Sequence, residues 1–80
     1  MTPAETVGQR MRHQRQLLGM TQGAFAALVG VGQPQVSRWE RGDVVVPFAR
    51  MADVAVVLRV SPAHLFREVL RDEVTDEAAA

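Results

Sequence analysis

Apolar residues recur at three- and four-residue intervals along most of the chain, and no stretch sustains the strict alternation of a half-buried strand. Val7, Met11 and Leu18 form a stripe that predicts a first helix over residues 5–18, with Gly19 placed to end it as a left-handed cap. Thr21 is suited to cap a second, short helix whose Phe25, Ala26 and Val29 share one face. Gly30-Val31-Gly32 then interrupts the pattern. A third helix is predicted over residues 33–41, with Pro34 in its first turn and Gly42 as its stop. After a loop at 43–46, Pro47 opens a fourth helix through Leu58, with Phe48, Met51, Ala52, Ala55 and Leu58 facing inward. Ser61-Pro62 starts a fifth, with Leu65, Phe66, Val69 and Leu70 inside. From Asp72 the chain is acidic and alanine-rich, a composition expected to fray. The pattern predicts an all-α protein, a compact bundle of about five short helices. It forms one domain over 1–80, with a core at 5–71 and an acidic tail at 72–80.

Size and composition agree with that picture and narrow it. At 80 residues and 48% hydrophobic content the chain can bury one small core and is too apolar for a disordered tail. It has no cysteine, which excludes a disulfide framework, a thiol nucleophile and any cysteine-ligated metal site. The start Met-Thr-Pro-Ala-Glu lacks the features of a signal peptide, and apolar runs such as Val54–Leu58 are far too short to span a bilayer. The expectation is a soluble, cytoplasmic protein. Formal charge sums to zero, which taken alone argues against a nucleic-acid partner. Position changes that reading. Residues 1–42 carry five arginines against Glu5 and Glu40, while 43–80 carry four against seven acids. Such asymmetry points to nucleic-acid contact or to an acidic tail.

The chemistry concentrates in the second and third helices. A helix, a glycine-containing turn and another helix is the outline of a DNA-binding helix-turn-helix. On a helical wheel Val36, Trp39 and Glu40 fall inward, and Pro34, Ser37, Arg38 and Arg41 fall outward, flanked by Gln33 and Gln35. Glutamine can pair with adenine N6 and N7, arginine with guanine O6 and N7, and an exposed proline ring can meet a thymine methyl. Base reading is therefore assigned to Gln33, Pro34, Gln35, Ser37 and Arg38. The bland alternative is a solvated polar face.

Two charges occupy inward phases. Arg15 follows Met11 by four residues on the apolar stripe, and Glu40 lies beside Val36 and Trp39. A lone buried charge is costly and a hydrogen-bonded pair is tolerable, so Arg15 and Glu40 are expected to pair and to fix the third helix on the first.

The segment from Gln22, Gln-Gly-Ala-Phe-Ala-Ala-Leu-Val-Gly-Val-Gly-Gln-Pro-Gln-Val-Ser-Arg-Trp-Glu-Arg, resembles the phage Cro and lambda-repressor-like family, the XRE type. The match includes Ala26 at a helix crossing, Gly30 in the turn, and apolar Phe25, Val29, Val31, Val36 and Trp39. It extends through Arg15 and Gly19-Met20-Thr21-Gln22 upstream and Glu40-Arg41-Gly42 downstream, so that residues 7–66 align without a gap. The resemblance implies a lambda repressor-like DNA-binding domain and the same Arg15–Glu40 pair. It further implies that Gln22 contacts a phosphate and braces Gln33, the first glutamine of the reading helix. Arg10, Arg12, Arg41 and the amides near Gly42 are further candidates for phosphate. Dimerisation through the fourth and fifth helices is also implied, and half-sites one turn apart demand a two-fold partner.

This chain departs from the family pattern at two places. Gly23 and Ala24 replace common acidic residues, so the second helix lacks a capping box. Gly32 replaces the usual Ser or Thr cap of the third. Either Gly32 caps it, or Gln33 becomes the cap with Pro34 at the first helical position and is diverted from base contact. Leu28, Val44, Val45, Val46 and Val56 are expected at the surface.

The function expected is a sequence-specific regulator of double-stranded DNA, acting as a repressor from one small domain, nucleoid-associated when bound. One alternative is an antitoxin that binds a toxin and its own operator, and another is an interaction module that does not bind DNA. No nucleophile, base and orienting group occur as a set, so an enzyme is the least expected class. His13 and His64 lack ligand-spaced companions, so neither a metal nor another cofactor is expected.

Overall fold

A capping box starts the first helix earlier than its apolar stripe implies. In the computed structural model, which describes residues 1–70, Thr2 Oγ1 accepts from the Glu5 amide at 3.1 Å and Glu5 Oε1 accepts from the Thr2 amide at 2.9 Å. Both bonds satisfy amides that a helix start leaves without partners. Helix α1 therefore spans Pro3–Leu17 rather than beginning at residue 5. The Thr2 amide, and then its hydroxyl, also hold the Glu5 carboxyl below its ordinary pKa.

The remaining helices are α2 (Gln22–Val29), α3 (Gln33–Arg41), α4 (Phe48–Leu58) and α5 (Pro62–Leu65). Gly30 and Gly42 sit at φ +85° and +77°, left-handed positions that end α2 and α3. Thr21 caps α2 through a 3.1 Å bond from the Ala24 amide. The expected lambda repressor-like all-α architecture is what these helices build, and they pack around one core. Trp39, Phe25, Phe66, Met11, Leu58 and Leu65 are its largest fully buried side chains. The fraying expected of residues 72–80, and Arg71 at the edge of the expected core, lie outside the described residues. No described helix is long and apolar enough to cross a membrane.

Three expectations change. In α4 the buried stripe is Met51, Val54, Ala55 and Leu58, whereas Ala52 is exposed and Phe48 is 73% exposed. Pro47 is the N-cap, so Phe48 is the first helical residue and its ring projects beyond the edge of the core. Val46, expected outside with its two neighbours, is buried, while Val44 and Val45 are exposed. The fifth helix is not continuous. It breaks at Phe66 and the chain becomes helical again at 67–70.

Arg10 occupies the carbonyls that the break leaves free. Its Nη1 donates to the carbonyls of His64 at 2.9 Å and Leu65 at 3.0 Å. A continuous helix would offer those carbonyls to amides four residues on. The Val69 amide instead donates to Phe66 O at 3.0 Å. The same guanidinium forms a two-pronged pair with the Glu68 carboxylate at 2.8 and 3.0 Å. That bond holds the Glu68 carboxyl down at about 2, and its counterpart raises Arg10 above the ordinary arginine value.

A carboxyl whose pKa is lower folded than unfolded adds stability above its ordinary value of 4.5 and loses it as pH falls toward about 2. Acid titration of unfolding should therefore show destabilisation across that window, and Glu68→Gln should remove part of the pH dependence. An unchanged profile in Glu68→Gln would mean that the pair adds nothing measurable.

Candidate nucleic-acid interface

Gly32 caps α3 with its backbone alone, at φ −80° and ψ 153°, and Gln33 is the first helical residue. This settles the choice left open by the sequence, because Gln33 has no capping duty. Val36, Trp39 and Glu40 are buried along the inner side of α3, and Gln33, Pro34, Arg38 and Arg41 are exposed along its outer side. Gln35 and Ser37 are half-buried between the two faces. Arg38 makes no side-chain hydrogen bond among the described residues, so its five donors face outward unclaimed.

A buried network holds the ridge from behind. Arg15 Nε donates to Glu40 Oε2 at 2.7 Å and its Nη2 to Glu40 Oε1 at 3.1 Å, with side chains 9% and 3% exposed. Arg15 Nη1 donates in turn to Met20 O at 2.7 Å, tying the turn before α2 to the same cation. Gln22 Nε2 donates to Glu40 Oε1 at 3.0 Å, and Gln33 Nε2 donates to Gln22 Oε1 at 3.3 Å. A chain of polar contacts thus runs from the core to the first residue of the ridge. Its link from Glu40 to Gln22 was not read from the sequence, because the two residues stand eighteen apart and no local pattern joins them.

Backbone approach sets where α3 can lie. Gly8 is buried in α1, and a Cβ there would meet the carbonyl oxygens of Trp39 and Glu40, the latter at 2.6 Å. Nothing in the local pattern of α1 marks this glycine, since its function is to let a distant helix come close.

The phosphate candidates separate into three groups. Gln22 and Arg12 border a polar cleft between α1 and α3, together with Gln9, Ser37 and Arg41, and Arg12 is exposed. Arg41 is exposed but already engaged: its Nε donates to Asp43 Oδ2 at 2.9 Å and its Nη1 to Ser37 Oγ at 2.9 Å. Asp43, which composition counted only as an acid, thus faces the ridge. Arg10 and Gly42 are engaged within the fold. Arg10 is held by Glu68 and the α5 carbonyls. The Gly42 amide donates to Trp39 O at 3.1 Å, and the next amide, of Asp43, to Arg38 O at 3.0 Å, so both close the end of α3. Among the described residues no cluster of three His, Asp or Glu side chains that could hold a metal occurs.

Two helices joined by a glycine turn, with the second laid outward on a buried ion pair, define a helix-turn-helix protein. The chain belongs to the helix-turn-helix family of the Cro and phage-repressor type, whose pattern it matches over residues 11–65. It is similar to the HTH-type transcriptional regulator DicA of Escherichia coli, with 35% identity over 60 residues, covering 75% of this chain and 44% of DicA. Among solved structures it is similar to the restriction-modification controller protein C.AhdI from Aeromonas hydrophila. There the TM-score is 0.74 at 32% identity, covering 79% of this chain and 96% of that one. The P22 c2 repressor, solved in complex with a synthetic operator, matches with TM-score 0.74 at 29% identity, covering 78% of this chain and 94% of that one. The chain spans about half the length of the curated relatives it matches.

Proposed function

We infer that this chain is a sequence-specific regulator of double-stranded DNA, a repressor that inserts α3 into the major groove of an operator. The observation that carries the reading is the α3 ridge: Gln33, Pro34 and Arg38 stand outward on a helix whose inner side is locked by the Arg15–Glu40 pair. A rigid helix with unclaimed arginine and glutamine donors at its surface has the chemistry of base recognition. Gln22 and Arg12 supply phosphate contacts from α2 and α1, and Arg41 joins them on leaving Asp43. That the P22 c2 repressor, of the same fold, was solved on an operator supports the same reading.

The proposed regulator acts as a homodimer through an apolar groove lined by Phe48, Met51, Ala52, Pro62, Ala63 and Leu70. Half-sites one helical turn apart require a two-fold partner, and an exposed phenylalanine beside a proline and a leucine is suited to self-contact. Sedimentation should give a dimer for the native chain and a monomer for Phe48→Asp. A variant that sediments as the native chain does would exclude this groove.

Binding to duplex DNA tests the main reading. Phosphate contacts require affinity to fall with salt at a log–log slope of about −0.9 per contact. A flat response, or no binding, would favour an interaction module without DNA. On the site recovered by selection from a random pool, Arg38→Ala should cost roughly 1–3 kcal/mol and relax choice at one base pair. Uniform weakening on every sequence would instead assign Arg38 to a phosphate.

A further inference from the structure

We propose that Glu40, buried behind the α3 ridge, decides adenine against guanine at the base pair facing Gln33. The inference rests on the DNA-binding reading above and concerns only how the first residue of α3 chooses its base.

The argument follows donors and acceptors outward from the core. An ionised carboxylate accepts and never donates, whereas a glutamine amide carries one acceptor and two N–H donors at opposite ends. Glu40 already accepts from Arg15 Nε and Nη2, and this charge-assisted pair fixes the carboxylate in place. Any amide that bonds to Glu40 must present nitrogen to it, and Gln22 does so through Nε2 at 3.0 Å. The Gln22 oxygen is thereby forced toward Gln33, which can meet it only with nitrogen, and Gln33 Nε2 does so at 3.3 Å. The polarity of one buried carboxylate is thus transmitted through two amides to the surface.

The consequence at Gln33 is specific. One N–H is engaged with Gln22, so the face left to a base is one donor beside one acceptor. Adenine presents N7 as acceptor and N6 as donor in the major groove, which complements that face. Guanine presents acceptors at both N7 and O6, and the Gln33 oxygen would oppose O6. Were the Gln22 amide reversed, Gln33 would accept through its oxygen and turn two donors outward, the face that suits guanine. Glu40 acts through Gln22 and Gln33, so it is a positioning residue.

Two variants separate this from a purely structural role. Arg15→Met with Glu40→Leu keeps the interior packed and removes the acceptor that orients Gln22, so the Gln22 amide can turn either way, and Gln33 with it. Gln22→Leu removes the relay while leaving the Arg15–Glu40 pair intact, so it provides the test even if the double variant fails to fold.

The probe is a pool of double-stranded DNA with a randomised core, followed by duplexes of the selected site carrying A·T or G·C at the Gln33-dependent position. That position is identified by the loss of preference in Gln33→Ala. The native chain should prefer adenine there by about tenfold or more. Gln22→Leu, and the double variant where folded, should each bring the ratio to within about twofold of unity. If both variants keep the native ratio, or if the native chain prefers no adenine at that position, the relay is wrong although DNA binding stands. If no sequence is enriched at all, the DNA reading itself fails and the relay with it.

Discussion

Glu40→Ala is expected to remove about 3–5 kcal/mol of folding stability, because it strands the Arg15 guanidinium in the core without its anion. The Arg15 and Glu40 side chains are 9% and 3% exposed, so bulk water screens the pair little. A domain of this length has a total stability of about 4–12 kcal/mol, so the loss removes about a quarter of it or more. Gln22 would lose its acceptor in the same step, freeing the amide that braces Gln33. Urea denaturation followed by the Trp39 fluorescence would measure the effect.

Arg15→Ala should cost a similar amount, and the double variant distinctly less than the two together, since each single change leaves one charge buried alone. Replacing the pair by Met at 15 and Leu at 40 should recover most of the stability. A loss below about 1 kcal/mol in Glu40→Ala would show that the pair contributes no more than a surface bridge.

Gly8→Ala should be comparably damaging, at about 3 kcal/mol, the upper end of overpacking penalties. The added methyl meets backbone carbonyls of α3, which cannot swing aside as a side chain would. Helices α1 and α3 would have to separate, and one of the two carbonyls in the way belongs to Glu40, whose side chain is bound to Arg15 on α1. Operator affinity should fall with stability, because α3 carries the ridge. Gly23→Ala is the matched control: a Cβ there comes no nearer than 4.0 Å to the Thr21 hydroxyl, so alanine should stabilise α2 by up to about 1 kcal/mol through propensity. Thermal unfolding of the two variants should move in opposite directions, and a Gly8→Ala that melts with the native chain would remove the close crossing from this account.

The division of α3 into an inner and an outer face was readable from the chain because helical periodicity is a local property. Once Val36 and Trp39 are inward, the phase of Gln33, Ser37, Arg38 and Arg41 follows. The Arg15–Glu40 pair was readable for a related reason, since each charge breaks an apolar stripe and burial leaves pairing as the inexpensive resolution. The start of α1 carried a signal as well. Thr2 and Glu5 have the spacing of a capping box.

Other features could not be read locally. Arg10 has the same appearance along the chain as Arg12, yet one is held by groups 54 to 58 residues away and the other stays exposed. Gly42 looked like a source of free amides, and its amide closes the helix it ends. Phe48 has the helical phase of a core residue and stands at the surface, because Pro47 sets the helix start at the edge of the packed layer.

Helix phase, turn positions and the inward or outward side of each reading residue therefore belong to the chain itself, since they depend on steric and hydrogen-bonding preferences within a few residues. Which arginines remain available, how closely α1 and α3 approach, and which way the Gln33 amide faces belong to the tertiary structure alone. Each depends on an acceptor, a carbonyl or a Cβ-free surface brought from a distant part of the chain, and no local preference carries that information.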